Sequence, residues 1–131
     1  MKQEVKWHGM NWITQQKRIA IYLRDGLACA YCGDTLEEAQ MSIDHIKPRS
    51  KGGSNAASNL ITSCLKCNQC RGDRPINLWL DIVVQYRNYD ITVVELQKHI
   101  RNCTRRVLPM AEAKVVLANK IASKKEEIEN K

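Results

Sequence analysis

Phenylalanine is absent, and only 5% of the 131 residues are aromatic. A core with so little ring area needs a further source of stability. No stretch approaches the ~20 consecutive apolar residues of a membrane-spanning helix. Met1 to Asn11 is polar and lacks the apolar centre of a secretory signal. No internal repeat is visible, and low complexity is confined to the Lys/Glu-rich end. These absences lead to the expectation of a cytoplasmic chain forming one domain over residues 1–131, too short for two independent cores. Acidic residues are also scarce: 14 against 21 basic ones, a formal charge of +7. That balance favours an acidic partner, nucleic acid first and an anionic membrane surface second.

What is present in excess is cysteine, with six residues. In a reducing compartment clustered cysteines hold metal more often than they form disulfides. Cys29-x-x-Cys32 and Cys64-x-x-Cys67 are two tight turns, each folding two sulfurs to one side, and together they would complete a tetrahedral thiolate site for structural zinc. Cys67-x-x-Cys70 has the same gap and is a competing pair. Cys103 falls on an apolar stripe and reads as a small core residue.

Periodicity divides the chain into three parts. Residues 1–11 read as an irregular arm, followed by an N-terminal helix within 12–27, with Ile19, Ala20, Leu23 and Leu27 inward and Gly26 as its stop. Trp12 and Ile13 could cover one end of it. Residues 28–74 contain the cysteine turns, a capping-box pattern at Thr35–Glu38, an alternating strand at Met41–Ile46 ended by Pro48, and a Gly-rich loop. A second strand at Leu60–Cys64 and a short helix from Leu65 to Arg71 complete this part. Residues 75–131 read as helical. Ile76, Trp79, Leu80, Val83 and Tyr86 form a first stripe, which Asn88 to Asp90 breaks. Thr92 to Glu95 is a second capping box, leading a stripe of Val93, Leu96, Ile100, Cys103 and Val107. A last helix over about 110–127 should turn Met110, Ala113, Leu117 and Ile121 inward, with Lys124 to Glu129 as a solvated end. Trp7, Trp12 and Trp79 read as packing residues.

Asp44-His45 is the one His–carboxylate neighbour pair inside the cysteine-bounded segment. Alone it carries little weight, and on a strand the two side chains should leave opposite faces unless the strand ends there, as Pro48 allows. In company it means more. The Asp44 carboxylate and the Asn68 amide oxygen could supply two hard ligands to a divalent ion, and a neutral imidazole can take a proton from water. A nuclease needs a base, a Lewis acid and a phosphate held between them.

The runs Cys29-x-x-Cys32-Gly33, Ile43-Asp44-His45-Ile46-x-Pro48-Arg49-Ser50-x-Gly52-Gly53, Asn59-Leu60 and Cys64-x-x-Cys67-Asn68-x-x-Arg71-Gly72 resemble the zinc-containing HNH endonucleases over roughly residues 24–74. The resemblance implies an α+β fold: a small ββα-metal core with a four-cysteine zinc site, flanked by an N-terminal helix and a helical C-terminal third. It implies His45 as general base, Asp44 and Asn68 as ligands of a catalytic Mg²⁺ or Mn²⁺, and Asn59 as the brace of the loop orienting His45. Cys29, Cys32, Cys64 and Cys67 would hold structural Zn²⁺, since the family's third letter follows the last cysteine directly, as Asn68 does here. Two positions depart from the family's usual pattern: Arg71 where Lys is frequent, and Cys70 beside it.

The activity implied is hydrolysis of DNA phosphodiesters, by nicking or double-strand cleavage, leaving 5′-phosphate and 3′-hydroxyl ends. Phosphate contacts are expected from Lys47, Arg49, Lys51, Lys66, Arg71 and Arg74, with a second patch at Arg101, Arg105 and Arg106. Partners implied are DNA and a phage terminase or another DNA-targeting protein, with no membrane, in a bacterial or phage-infected cytoplasm. Packaging, homing and restriction are the settings in view. The alternative is a non-catalytic zinc-stabilised module that binds nucleic acid; a thiol redox protein fits the run from Asp44 to Gly53 poorly.

Overall fold

Two short strands carry the centre of the molecule, and their sequences explain why. In the computed structural model, which describes residues 12–87 and 90–129, β1 (Met41–His45) and β2 (Leu60–Cys64) pair antiparallel, with Met41 opposite Cys64 and His45 opposite Leu60. Every residue of β2 is buried, because both its edges and both its faces are used. On the edge away from β1, the Ala30 amide donates to the Thr62 carbonyl (3.0 Å), and the Thr62 amide donates to Asp25 Oδ2 (2.9 Å). An edge strand of a small sheet is thus closed by a cysteine turn and a carboxylate.

Helix α1 (Gln15–Arg24) is capped by Thr14, whose hydroxyl accepts from the Lys17 amide. It is shorter than the expected span within 12–27. Gly26 and Leu27 both adopt left-handed backbone (φ 80° and 57°), so Leu27 turns outward and is 42% exposed instead of joining the core. Four consecutive residues, Ile19 to Tyr22, are buried instead. One face of α1 meets Ile43 and Leu60 of the sheet, with Trp12 and Ile13 against the same cluster; the other meets Ala113 and Leu117 of the last helix.

The expected capping box at Thr35–Glu38 is displaced. Thr35 forms an isolated bridge with Ala28, and Glu37 caps a single 3-10 turn, Glu38–Gln40. After β2 come α2 (Leu65–Arg71), α3 (Ile76–Tyr86), α4 (Val93–Arg105) and α5 (Met110–Glu129). The Thr92/Glu95 capping box opens α4 as its residue types require. Trp79, Leu80 and Val83 of α3 pack with Leu96, Ile100 and Cys103 of α4 against the cysteine turns.

Inward expectations also fail at Val107, Met110 and Ile121. Val107 is 91% exposed, since α4 stops at Arg105 and the chain is already extended at Arg106. Ile121 is 56% exposed and Met110 lies at the surface. The 20-residue α5, about 30 Å long, outruns the 10-residue α1, about 15 Å long, that it packs on. Met1 to Asn11 (with Trp7), Asn88 and Tyr89 lie outside the described residues. Among those described, no helix is long and apolar enough to cross a membrane.

Arg24 and Asp25 form a fully buried ion pair (2.8 Å), and Arg24 also donates to the carbonyls of Ala57 (3.0 Å) and Leu60 (2.6 Å). This pair ties α1 to β2. Removing one partner strands a buried charge, so Asp25→Ala should lower unfolding free energy by about 3–5 kcal/mol in urea titration of the zinc-loaded protein. A loss below about 1 kcal/mol, the range of surface pairs, would show that the pair does not join the two elements.

Candidate active site and metal centre

Cys29, Cys32, Cys64 and Cys67 bring their sulfurs within 4.8 Å of one another, all four residues buried. Tetrahedral Zn–S bonds of ~2.3 Å place sulfurs about 3.8 Å apart, and the Cys32–Cys64 separation is 3.9 Å. In each turn the later cysteine's amide points at the earlier sulfur: Cys32 N to Cys29 Sγ at 3.4 Å and Cys67 N to Cys64 Sγ at 3.3 Å. Contact with Cys67 holds the Cys29 thiol down to about 5. Burial pushes Cys32 up to about 12, and the contact with Cys29 raises Cys67. Zinc is bound by thiolates, so Cys32 and Cys67 would release their protons to solvent on binding such a cation. The donor set fits structural zinc, and as a closed site it offers no open position for chemistry. Cys70 is exposed and outside the cluster, which decides the pairing left open by spacing, and Cys103 is buried in the α3–α4 core. Tyr86, expected on the apolar stripe, places its hydroxyl 3.1 Å from Cys67 Sγ.

The helix α2 begins inside this cluster, with Cys64 as its N-cap. The four sulfurs therefore set where α2 lies relative to β1. Asn68, on the first turn after Cys67, donates through Nδ2 to Ser42 Oγ (2.9 Å) and to the Ile43 carbonyl (3.4 Å). The amide nitrogen is thus spent on the strand, and the amide oxygen is the atom available to a cation. Ser42 and Asp44 share a face of β1, so Asn68 and Asp44 lie on the same α2-facing side. An acidic oxygen and an amide oxygen are the donors a hard divalent ion takes.

Asp44 is buried, and its Oδ2 accepts from Arg71 Nη1 (2.5 Å) and from the Tyr31 hydroxyl (2.5 Å). Burial, then the charge of Asp44, pushes the Tyr31 phenol well above its ordinary range, so it stays a donor. Arg71 overturns one expectation. Expected among the phosphate contacts, it is instead fully buried, donating also to the carbonyls of His45 (2.8 Å), Ile46 (2.6 Å) and Arg74 (3.0 Å). A guanidinium buried to 0% exposure and bonded to these groups is not at the surface to meet DNA.

His45, the last residue of β1, leaves the opposite face from Asp44, as strand geometry requires. Its Nε2 lies 2.8 Å from Asn55 Oδ1, and its ring sits 4.7 Å from the Trp12 ring, tilted by 44°. Both partners were missed as site residues. Asn55 sits in a loop whose closure brings residue 55 to residue 45, and Trp12 was read as covering the end of α1. Asn59 closes that loop: its Oδ1 accepts from the Lys47 amide (2.8 Å), and its Nδ2 donates to the carbonyls of Lys47 (3.1 Å) and Ser54 (2.8 Å). Gly53 is required there, because a Cβ would lie 1.7 Å from the Lys47 carbonyl oxygen.

Lys47, Arg49 and Lys51 are exposed on this loop and Lys66 on α2, its ammonium 5.7 Å from the Tyr86 ring centre. Arg74 is exposed but turned to the carbonyls of Cys70 and Arg71, closing the end of α2. Arg101 and Arg105 are exposed on α4; Arg106 reaches back to the Arg24 carbonyl (3.2 Å). Lys17, which carries no motif in the sequence, donates to the Asn55 carbonyl (3.0 Å) beside His45.

Residues 29–74 match the family model described as HNH endonuclease. The CRISPR-associated endonuclease Cas9 of Corynebacterium diphtheriae is 39% identical over 57 residues, 43% of this chain and 5% of that protein. The CRISPR-associated endonuclease Cas9 of Actinomyces naeslundii is 38% identical over 55 residues, 41% of this chain and 5% of that protein. The chain thus spans only a small part of the curated relatives it matches. A crystal structure of the Type II-C Cas9 enzyme from Actinomyces naeslundii aligns with 82% of this chain and 15% of its own, at 22% identity and a TM-score of 0.46.

The cysteine assignment has a direct check by elemental analysis of purified protein. Cys70→Ser should retain about one zinc per chain, whereas Cys67→Ser should lose it and unfold in chelator. Zinc loss from Cys70→Ser would overturn the ligand set.

Proposed function

From the HNH endonuclease region at residues 29–74, we propose that this chain is a metal-dependent endonuclease that hydrolyses phosphodiester bonds in DNA. The observation that carries the reading is the pair Asp44-His45 at the end of β1, with Asn68 bonded to Ser42 on the Asp44 face of that strand and Asn55 on the His45 ring. The two side chains leave opposite faces, but they are the last two residues of β1, so a phosphate seated at the strand's end would be within reach of both the base and the metal ligand.

His45 is the general base. An amide oxygen accepts hydrogen bonds, so Asn55 Oδ1 places the ring proton on Nε2 and leaves Nδ1 as the free lone pair. Nδ1 takes a proton from water; the water oxygen attacks phosphorus, the bond to the 3′ oxygen breaks, and that oxygen is protonated to a hydroxyl, leaving a 5′-phosphate. Asp44 and Asn68 would hold Mg²⁺ or Mn²⁺, which supplies Lewis-acid stabilisation of the charge on the phosphate. Asn59 acts at one remove, keeping the Lys47–Ser54 backbone where Asn55 meets His45.

Lys47, Arg49, Lys51 and Lys66 provide phosphate contacts around this centre, supported by Arg101, Arg105 and Arg106 on and after α4. Arg74, capping α2, stands at the margin of the surface. Sequence selection falls to a DNA-targeting partner. In the CRISPR-associated relatives the similar stretch is 5% of the protein, and phage packaging beside a terminase, homing and restriction are settings where a cutting unit would also be directed by other parts. Residues 28–74 are the catalytic unit in this reading, with the flanking helices of one domain over 1–131 as its support.

Plasmid cleavage with Mg²⁺ or Mn²⁺ tests the proposal. His45→Ala should cut about 10²–10⁴-fold more slowly while binding DNA as before, the usual contribution of a general base. Binding without cutting by the unaltered protein under every divalent ion tried would favour the non-catalytic zinc module.

A further inference from the structure

Tyr31 stands between two zinc-type ligands, yet its hydroxyl points away from the sulfurs. It meets Asp44 Oδ2 at 2.5 Å, on an oxygen that also takes Arg71 Nη1 at 2.5 Å, and the two donors lie 3.4 Å from each other. Tyr31 and Arg71 are both fully buried, and the Tyr31 ring packs edge-on against Trp79, 5.6 Å between centres at 89°. That packing needs only a ring; phenylalanine would serve it equally. The hydroxyl is costly to bury without a partner, and the partner it has is the carboxylate.

Among the described residues no donor reaches Oδ1 of Asp44. A free carboxylate can turn about its terminal torsion and exchange its oxygens. Here one oxygen is held by two donors from two directions, one of them cationic, and a metal ion approaching that side would meet the guanidinium. We propose that Tyr31 is a positioning residue for metal-dependent cleavage: with Arg71 it clamps Oδ2 of Asp44 and so presents Oδ1 alone to the catalytic divalent ion. Because Tyr31 is carried on the Cys29–Cys32 turn, the sulfur cluster serves as the mount of the catalytic carboxylate as well as a staple. The inference rests on the nuclease reading above.

The test uses zinc-loaded full-length protein and Mn²⁺ as probe, its binding followed by the paramagnetic resonance of free Mn²⁺, with Asp44→Asn as background. Tyr31→Phe should keep the zinc content and DNA affinity of the unaltered chain but bind Mn²⁺ about 10–100-fold more weakly, as loss of an outer partner of a metal ligand does. Its cleavage should fall at limiting Mn²⁺ and recover at saturation. Arg71→Lys, which keeps the charge and loses the fork, should weaken Mn²⁺ binding in the same direction, giving a second measure if Tyr31→Phe sheds zinc. Trp79→Leu loosens the same core without touching the hydroxyl; an equal loss of Mn²⁺ affinity there would overturn the proposal. So would Mn²⁺ affinity and metal dependence in Tyr31→Phe matching the unaltered chain. Unaltered protein that binds no Mn²⁺ at Asp44 and cuts under no divalent ion would sink the nuclease reading, and this inference with it.

Discussion

The sulfur cluster is the constraint from which the other geometry follows. Cys29 and Cys32 belong to the segment after α1, Cys64 ends β2, and Cys67 lies in α2. Holding them together fixes the loop, the strand and the helix to one point. Structural zinc contributes an apparent ~10–16 kcal/mol in small zinc peptides, and a whole domain is stable by only about 5–15 kcal/mol. In a chain without phenylalanine, zinc held at this cluster would contribute on the order of the total stability, with the apolar clusters completing what it begins.

Among the described residues the fold buries two ion pairs around that point, and each is arranged to join elements rather than to add stability. Burying charge costs several kcal/mol per ion, about as much as the pairing returns. Arg24–Asp25 repays the cost through the carbonyls of Ala57 and Leu60 and the amide of Thr62, binding α1 to the sheet. Arg71–Asp44 does so through the carbonyls of His45, Ile46 and Arg74, joining α2 to the end of β1. The second pair fixes a side chain proposed to ligate metal, so its rigidity has a use beyond folding.

The loop between the strands completes the arrangement from the other face. Asn59 grips the Lys47 and Ser54 backbone, Gly53 allows the chain to close on Lys47, and Asn55 is delivered to His45. His45 and Asp44 leave β1 on opposite faces and are held by different elements: Trp12 and Asn55 on one side, Tyr31, Arg71 and α2 on the other. They share the strand end and Arg71, which also donates to the His45 carbonyl.

Local regularities were legible in the amino-acid order. The spacing of Leu60–Cys64 and Leu65–Arg71, the Thr92/Glu95 cap and the two cysteine turns depend on neighbours a few residues apart, and each stands where those patterns put it. The direction of Arg71, the use of the Tyr31 hydroxyl and the burial of Arg24 were decided only by tertiary contact. A basic side chain beside a phosphate-binding motif reads as surface charge until its partner is known, and the partner of Arg71 is 27 residues away. Sequence periodicity tells which face a residue occupies; what waits on that face is set by the elements folded against it.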